Sequence, residues 1–303
     1  MTKLTEILTQ RGRLVSTEFL PPKGGQLSDL VNKTLKVANV VDSVSIPELK
    51  ANLHGAPKFR MNPFYTALRL RDLTGVQTVF HLTPRDYNKN AVAGLVMAAA
   101  EAHLQNILVI GGDRYTEHEV ITLSKNVYDY DGSTDLVKGI RGLEKEIGLG
   151  NNGFCIIVGS DPTLIYTKEK AKIEAEIIKL IQRQDAGADL VQTQPVFDMS
   201  FFEFLELARQ YGLKIPVLVG ILPLRGKGDC IQIERRYGIL IPDDLKSSLR
   251  TEDEERGRRM ACQLASDLVK NGVRCLHIYP RGDCEFVFEV VKTTFSSVSS
   301  NLN

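Results

Sequence analysis

The feature that most constrains this chain is an alternation repeated eight times. Short runs rich in β-branched and apolar residues stand at 14–19, 41–46, 77–83, 106–111, 155–159, 190–194, 217–222 and 274–279. Between them lie longer stretches, several with helical periodicity. Helices are expected at 27–40, with Ser28 as a cap, and at 91–103, 169–184, 200–211 and 252–270. The third of these carries Ile173, Ile177, Leu180 and Ile181 at three- and four-residue spacing, with charges opposite. Gly187, Gly212 and Gly272 each follow such a stretch, where a left-handed residue ends a helix. Strands that alternate with helices make parallel β/α units, and eight of them close a barrel, so the predicted fold class is α/β, a TIM (β/α)8 barrel. An open dinucleotide-binding sheet fits less well. Its Gly-x-Gly-x-x-Gly fingerprint is missing after the first run, where Glu18-Phe19-Leu20-Pro21-Pro22 stands. The 303 residues contain no linker or low-complexity tract. Residues 1–303 are therefore expected to form one catalytic barrel, with a polar, frayed tail over 296–303.

Composition excludes several classes. With 38 Lys and Arg against 37 Asp and Glu, the net charge is +1, which argues against nucleic-acid and anionic-membrane partners. No uncharged apolar run is long enough for a membrane span. The start of the chain lacks the basic-then-apolar layout of a signal peptide. Five scattered cysteines without a CxxC pair read as reduced thiols, and the expected location is cytoplasmic. The five histidines show no HxH or HExxH spacing, so no protein-bound metal is expected.

In such a barrel, chemistry is built at the carboxyl-terminal ends of the strands. Read in order, those ends carry Glu18, Ser45, His81 with Thr83, Asp113, Asp161, Gln192 with Gln194, Leu222-Pro223, and His277 with Tyr279. Glu18 is the sharpest: a carboxyl held among apolar groups keeps its proton more tightly and suits a general acid. It could equally be a strand-end acid paired with a base. Asp113 follows Gly111-Gly112, where two glycines let a ligand approach the backbone, or simply make a tight turn. Gln194 offers an amide that both donates and accepts, suited to a heterocycle edge or to capping a loop. There is no Gly-x-Ser-x-Gly elbow and no P-loop.

Taken in order, these segments resemble the methylenetetrahydrofolate reductase family. Thr17-Glu18-Phe19-Leu20-Pro21-Pro22, His81-Leu82-Thr83, the run 106–113 ending in Gly-Gly-Asp, Asp185-Ala186-Gly187-Ala188 through Thr193-Gln194 and Phe197-Asp198, Val219-Gly220-Ile221-Leu222-Pro223, and the run 272–279 carry the resemblance. It implies a TIM barrel that reduces 5,10-methylenetetrahydrofolate to 5-methyltetrahydrofolate with a flavin, FAD or in its place FMN. It implies Glu18 as the general acid and Asp113 as the group that stabilises the developing cation. Ser45, His81, Gly112 and Asp113 would contact the flavin, Arg183 its phosphates, and Gln194 and Tyr279 the folate. The sequence departs from the family pattern at 159–166 and 225–228, where the family carries flavin- and nicotinamide-contacting residues. NAD(P)H is therefore one expected electron source and a partner protein subunit the other; a homo-oligomer is also expected. Two alternatives stay open: a flavin-free folate barrel acting in methyl transfer, and a non-catalytic scaffold subunit.

Overall fold

The structure, a computed structural model, describes residues 2–51 and 59–295; the expected frayed tail lies outside the described residues. Eight parallel strands close into a barrel in sequence order. They are β1 Leu14–Glu18, β2 Ser43–Ile46, β3 Gln77–Leu82, β4 Asn106–Val109, β5 Cys155–Ser160, β6 Leu190–Pro195, β7 Val217–Ile221 and β8 Cys275–Ile278. The ring closes where β1 pairs with β8, with Ser16 opposite His277. Every expected strand is present, to within two residues at either end.

Period-two alternation sorts the strand side chains. Val44, Ile46, Phe80, Leu82, Ile107, Val109, Ile156, Val158 and Val191 face outward and join the large core beneath the helices. Leu14, Val79, Leu108, Cys155, Ile157, Leu190, Leu218 and Cys275 face inward and form a separate core with Leu4 and Ile7. Those two come from the helix Leu4–Arg11, which was not expected. The Leu4 amide donates to Asn106 Oδ1 at 3.0 Å, at the foot of β4, so this helix closes the amino-terminal end of the barrel.

The helices differ from expectation in detail. The first is Ser28–Val37, shorter than 27–40, and the expected Ser28 cap does not form. Leu27 takes the N-cap position in a right-handed helical conformation, which places Ser28 already inside the first turn. Asn88 caps Lys89–Glu101, accepting from the Ala91 amide at 2.8 Å. Three outer helices, Pro63–Thr74, Gly132–Glu146 and Cys284–Phe295, escaped the periodicity analysis. In the second, Gly132, Gly139 and Gly142 lower the helix propensity, and the Tyr130 ring fills the space a side chain at Gly139 would need. After β7 the chain makes two extra helices, Lys227–Tyr237 and Asp243–Ser248, before the outer helix Glu254–Lys270. The extra pair has its own small core around Leu224, Cys230, Ile233 and Ile241.

Candidate active site

The inner wall of the barrel changes character towards its carboxyl-terminal end. Along β1 the inward positions run Leu14, Ser16, Glu18, and Glu18 lies in register with Ser45 of β2. Ser45 pairs with Val79 of β3, and His81 follows two residues on, so it shares the inner face. Ser45 Oγ, both His81 ring nitrogens, Thr83 Oγ1 and His277 Nε2 are buried without a protein partner. Each such atom costs about 1–3 kcal/mol when nothing bonds to it. Clustered at one end of the tube, they mark where a ligand or water completes the bonding. Burial, reinforced by the neighbouring His277, lowers the His81 pKa to about 3, so the ring is neutral and offers one donor and one acceptor.

The β8 side is organised around Glu18. Its side chain is 21% exposed, and Oε2 lies 3.7 Å from His277 Nε2, just beyond hydrogen-bond range. The other nitrogen, Nδ1, is 2.7 Å from Ser16 Oγ. The His277 ring packs edge-on against Tyr279, with centroids 4.5 Å apart. The Tyr279 hydroxyl donates to the Thr193 carbonyl at 2.8 Å and accepts from Gln192 Nε2 at 3.3 Å. Burial, with the Glu18 charge second, raises the pKa of this phenol above its ordinary value, so it remains protonated. Tyr279 and Gln192 are thus committed to each other. Gln194, two residues further along β6, is exposed at the mouth.

Asp113 sits on the loop after β4 and is exposed. Its carbonyl accepts from Arg85 Nη1 at 3.4 Å. The Tyr128 hydroxyl donates to the carbonyls of Gly111 and Gly112, at 3.2 and 2.7 Å, and fixes the turn that carries the aspartate. The two glycines differ. Gly112 has φ +74°, and a Cβ there would meet Thr83 Cβ at 3.1 Å and Arg85 Cβ at 3.3 Å, so it is held tightly by the fold. Beside Gly111 a Cβ meets nothing within 4 Å, and the open approach is there.

Two residues, Arg183 from the resemblance and Asp161 from the strand ends, are engaged elsewhere. Arg183, in the layer outside β5, donates to the Gly159 carbonyl at 2.8 Å and to Ser133 Oγ at 3.1 Å, and pairs with Glu176 at 3.3 Å. The structure does not bring it onto the inner wall with Glu18, His81 and His277. Asp161 caps the short helix Pro162–Thr167, accepting from the amide and the hydroxyl of Thr163 at 2.9 and 2.6 Å.

Sequence reasoning missed a polar group on the opposite rim. Glu48, just past β2, accepts from the Thr83 amide at 2.9 Å; burial and the nearby Asp86 charge push its pKa up to about 7. Arg85 is 2% exposed, pairs with Asp86 at 2.5 Å and lies over the Tyr115 ring at 5.3 Å. A usable signal existed: Glu48 directly follows Pro47 after a strand, much as Glu18 stands just before Pro21-Pro22. Among the described residues no group of three or more His, Cys, Asp or Glu side chains could hold a metal ion. No helix among them is long and apolar enough to cross a membrane.

A closed parallel barrel whose polar residues gather at the strand carboxyl ends defines a TIM-barrel protein with its site in the usual place for that fold. The particular family follows from comparison: the methylenetetrahydrofolate reductase family model matches residues 3–294, and the chain belongs to that family. It is 24% identical over 292 residues to the 5,10-methylenetetrahydrofolate reductase of Pectobacterium carotovorum, covering 93% of this chain and 91% of that protein. It is 28% identical over 211 residues to methylenetetrahydrofolate reductase 1 of Schizosaccharomyces pombe, covering 67% of this chain and 33% of that one. The match thus spans about a third of the yeast relative, and 37% of a probable NADH-type reductase of Oryza sativa. Among solved structures, 2,3-dimethylmalate lyase superposes with a TM-score of 0.51 at 11% identity, covering 99% of this chain and 89% of that one; this likeness is one of fold.

Proposed function

We propose that this chain reduces 5,10-methylenetetrahydrofolate to 5-methyltetrahydrofolate with a bound flavin, FAD or FMN. The observation that carries the reading is the gathering of Glu18, exposed Asp113 and exposed Gln194 around buried polar atoms that lack protein partners. Those atoms fit a flavin: Ser45 Oγ, neutral His81 and the open backbone at Gly111 would face a ring whose edge alternates donors and acceptors. When bound, the flavin would supply the two-electron hydride chemistry that no side chain provides.

The protein's share is positioning and charge. Gln194 binds the pterin edge through its amide. Glu18 gives its proton to N10 as the bond from N10 to the bridging carbon breaks, which leaves a cationic iminium at N5. The Asp113 carboxylate stabilises that cation. A hydride then adds to the bridging carbon, so the substrate gains one hydride and one proton in total. His277 sits behind Glu18 with Nδ1 held by Ser16, which fixes the ring so that Nε2 faces the carboxyl. The 3.7 Å gap leaves that contact to be closed by movement or by a water.

NAD(P)H or a partner subunit would supply the electrons, and the protein would work in the cytoplasm. The visible spectrum of the purified chain tests the proposal, followed by identification of any flavin released on denaturation. A yellow protein that is bleached by reductant and reoxidised by methylenetetrahydrofolate is expected. A colourless protein that takes up neither FAD nor FMN would overturn the flavin mechanism and return weight to a flavin-free folate barrel.

A further inference from the structure

On the rim away from β8 lies a cavity of about 210 Å³. Its walls come from the loops after the first four strands: Lys23, then Lys50 with Phe59 and Arg60, then Asp86, then Tyr115. It is smaller than the roughly 300–1,000 Å³ that encloses a whole drug-sized ligand. A space of this size suits one end of a longer molecule whose other end lies at the barrel mouth. It adjoins the mouth through a single side chain: Arg85 pairs with Asp86 in the cavity wall and donates to the Asp113 carbonyl.

The charge of the lining is distinctive. Asp86 is neutralised by Arg85, and Lys50 by Glu119 at 2.9 Å. Lys23 and Arg60 have no acidic partner among the described residues, and Arg60 donates to the Pro21 carbonyl at 2.7 Å. Burial disfavours the charged form of Arg60, a cost that a counter-anion would relieve. In the loops after β7 and β8, where TIM barrels often bind phosphate, three basic side chains are already paired. There Arg225 pairs with Glu254 at 3.6 Å, Lys246 with Glu234 at 2.7 Å and Arg281 with Asp229 at 2.5 Å. Lys23 and Arg60 are the basic groups of this cavity's wall whose charge is left for a ligand.

We infer that this cavity is a subsite for the multiply charged anionic tail of a ligand held at the mouth, with Lys23 and Arg60 as its anion-binding groups. Two ligands of the proposed reaction carry such a tail, so this part rests on that reading: γ-linked glutamyl carboxylates on the folate, or the phosphates of the flavin.

Inorganic pyrophosphate titrated calorimetrically into the wild-type chain and a Lys23→Ala/Arg60→Ala variant tests the subsite without reference to activity. Binding weakened at least tenfold in the variant is expected, with a thermal transition within a few degrees of wild type. Lys23→Gln, fully at the surface, serves as a second variant should the double one fold poorly, and is expected to weaken binding about threefold. Equal pyrophosphate affinity in all three proteins would overturn the inference. Two further arms separate the sources. If the tail is glutamyl, the wild type prefers folate triglutamate over monoglutamate and the variant loses that preference. If it is phosphate, FAD or FMN binding weakens in the variant while riboflavin binding does not. A pyrophosphate effect with neither ligand affected would overturn the tail assignment. A wild-type chain that binds pyrophosphate through these residues but neither folate nor flavin would sink the proposed function and leave the anion site standing.

Discussion

The two halves of the barrel interior are built from the same strands and differ in what fills them. The lower half is filled chiefly by Leu4, Ile7, Leu14, Leu108, Ile157, Leu190 and Leu218, and its unpartnered polar atoms, Ser43 Oγ, Gln77 Oε1 and Asn106 Nδ2, stand at the very start of their strands. The upper half holds Ser16, Ser45, His81, Gln192 and His277, several of whose atoms find no protein partner. Apolar packing favours folding whatever is bound, whereas unpartnered polar atoms favour folding only when something completes them. One tube therefore concentrates apolar packing in its lower half and the polar atoms nearest Glu18 at its mouth, within two or three residues of each strand.

The comparison can be broken from either side. The largest expected effect is on rate. Glu18→Gln removes the proton donor and should lower kcat by about 10²–10⁴-fold, with flavin content and thermal stability unchanged. A variant that keeps wild-type turnover would remove Glu18 from the chemistry. In the lower half, Leu218→Ala should cost about 2–5 kcal/mol in urea unfolding while leaving ligand affinity intact; a selective loss of affinity would show that the halves are not separate.

Glu48→Gln sharpens the contrast through pH. The folded-state pKa of Glu48 is raised from 4.5 to about 7, so the wild type keeps this contribution below pH 4.5 and loses it as pH rises through 7. The Gln variant should match wild type near pH 4 and exceed it at pH 8 by on the order of 3 kcal/mol. Parallel stability curves for the two proteins would refute this.

Gly112→Ala should cost about 1–3 kcal/mol from its positive φ and the close Thr83 and Arg85 contacts. Gly111→Ala, beside open space, should be milder in stability and is the better probe of ligand approach. The smallest effect is expected for His81→Leu, which removes two unpartnered nitrogens and should leave the ligand-free protein unchanged or about 1 kcal/mol more stable at pH 7. Because the His81 pKa is depressed to about 3, the wild type loses stability as pH falls from about 6.5 towards 3. The variant should lack that slope, and flavin titration should show weaker binding.

The strands were legible because every one of them is a short apolar run bounded by turn residues, and a buried parallel sheet leaves that signature. The helices Gly132–Glu146 and Pro63–Thr74 were not, since three glycines lower the helix propensity of one and mixed polarity blurs the 3.6-residue period of the other, which tertiary packing then enforces. Glu18, Ser45 and His81 could be placed on one inner face by counting in twos along known strands. Glu48, Arg85 and Tyr128 could not, because they lie in loops whose course is set by contacts such as the Tyr128 amide to the Pro84 carbonyl at 3.1 Å. The Ser28 cap failed for a related reason: residue type alone does not fix where the first turn begins.

The seam between β1 and β8 carries a consequence for how the protein comes into being. Ser16 and His277 touch across 261 positions of sequence, and β1 draws one of its two hydrogen-bonded neighbours from residues 275–278. On a ribosome, β1 is made before the seven other strands and then waits, one edge unpaired, until residues 275–278 have emerged. The group facing Glu18, His277, arrives with the strand that closes the ring. This architecture makes closure of the ring a late event with a high loop-closure cost, and exposes the nascent chain to mispairing at that edge in the interval.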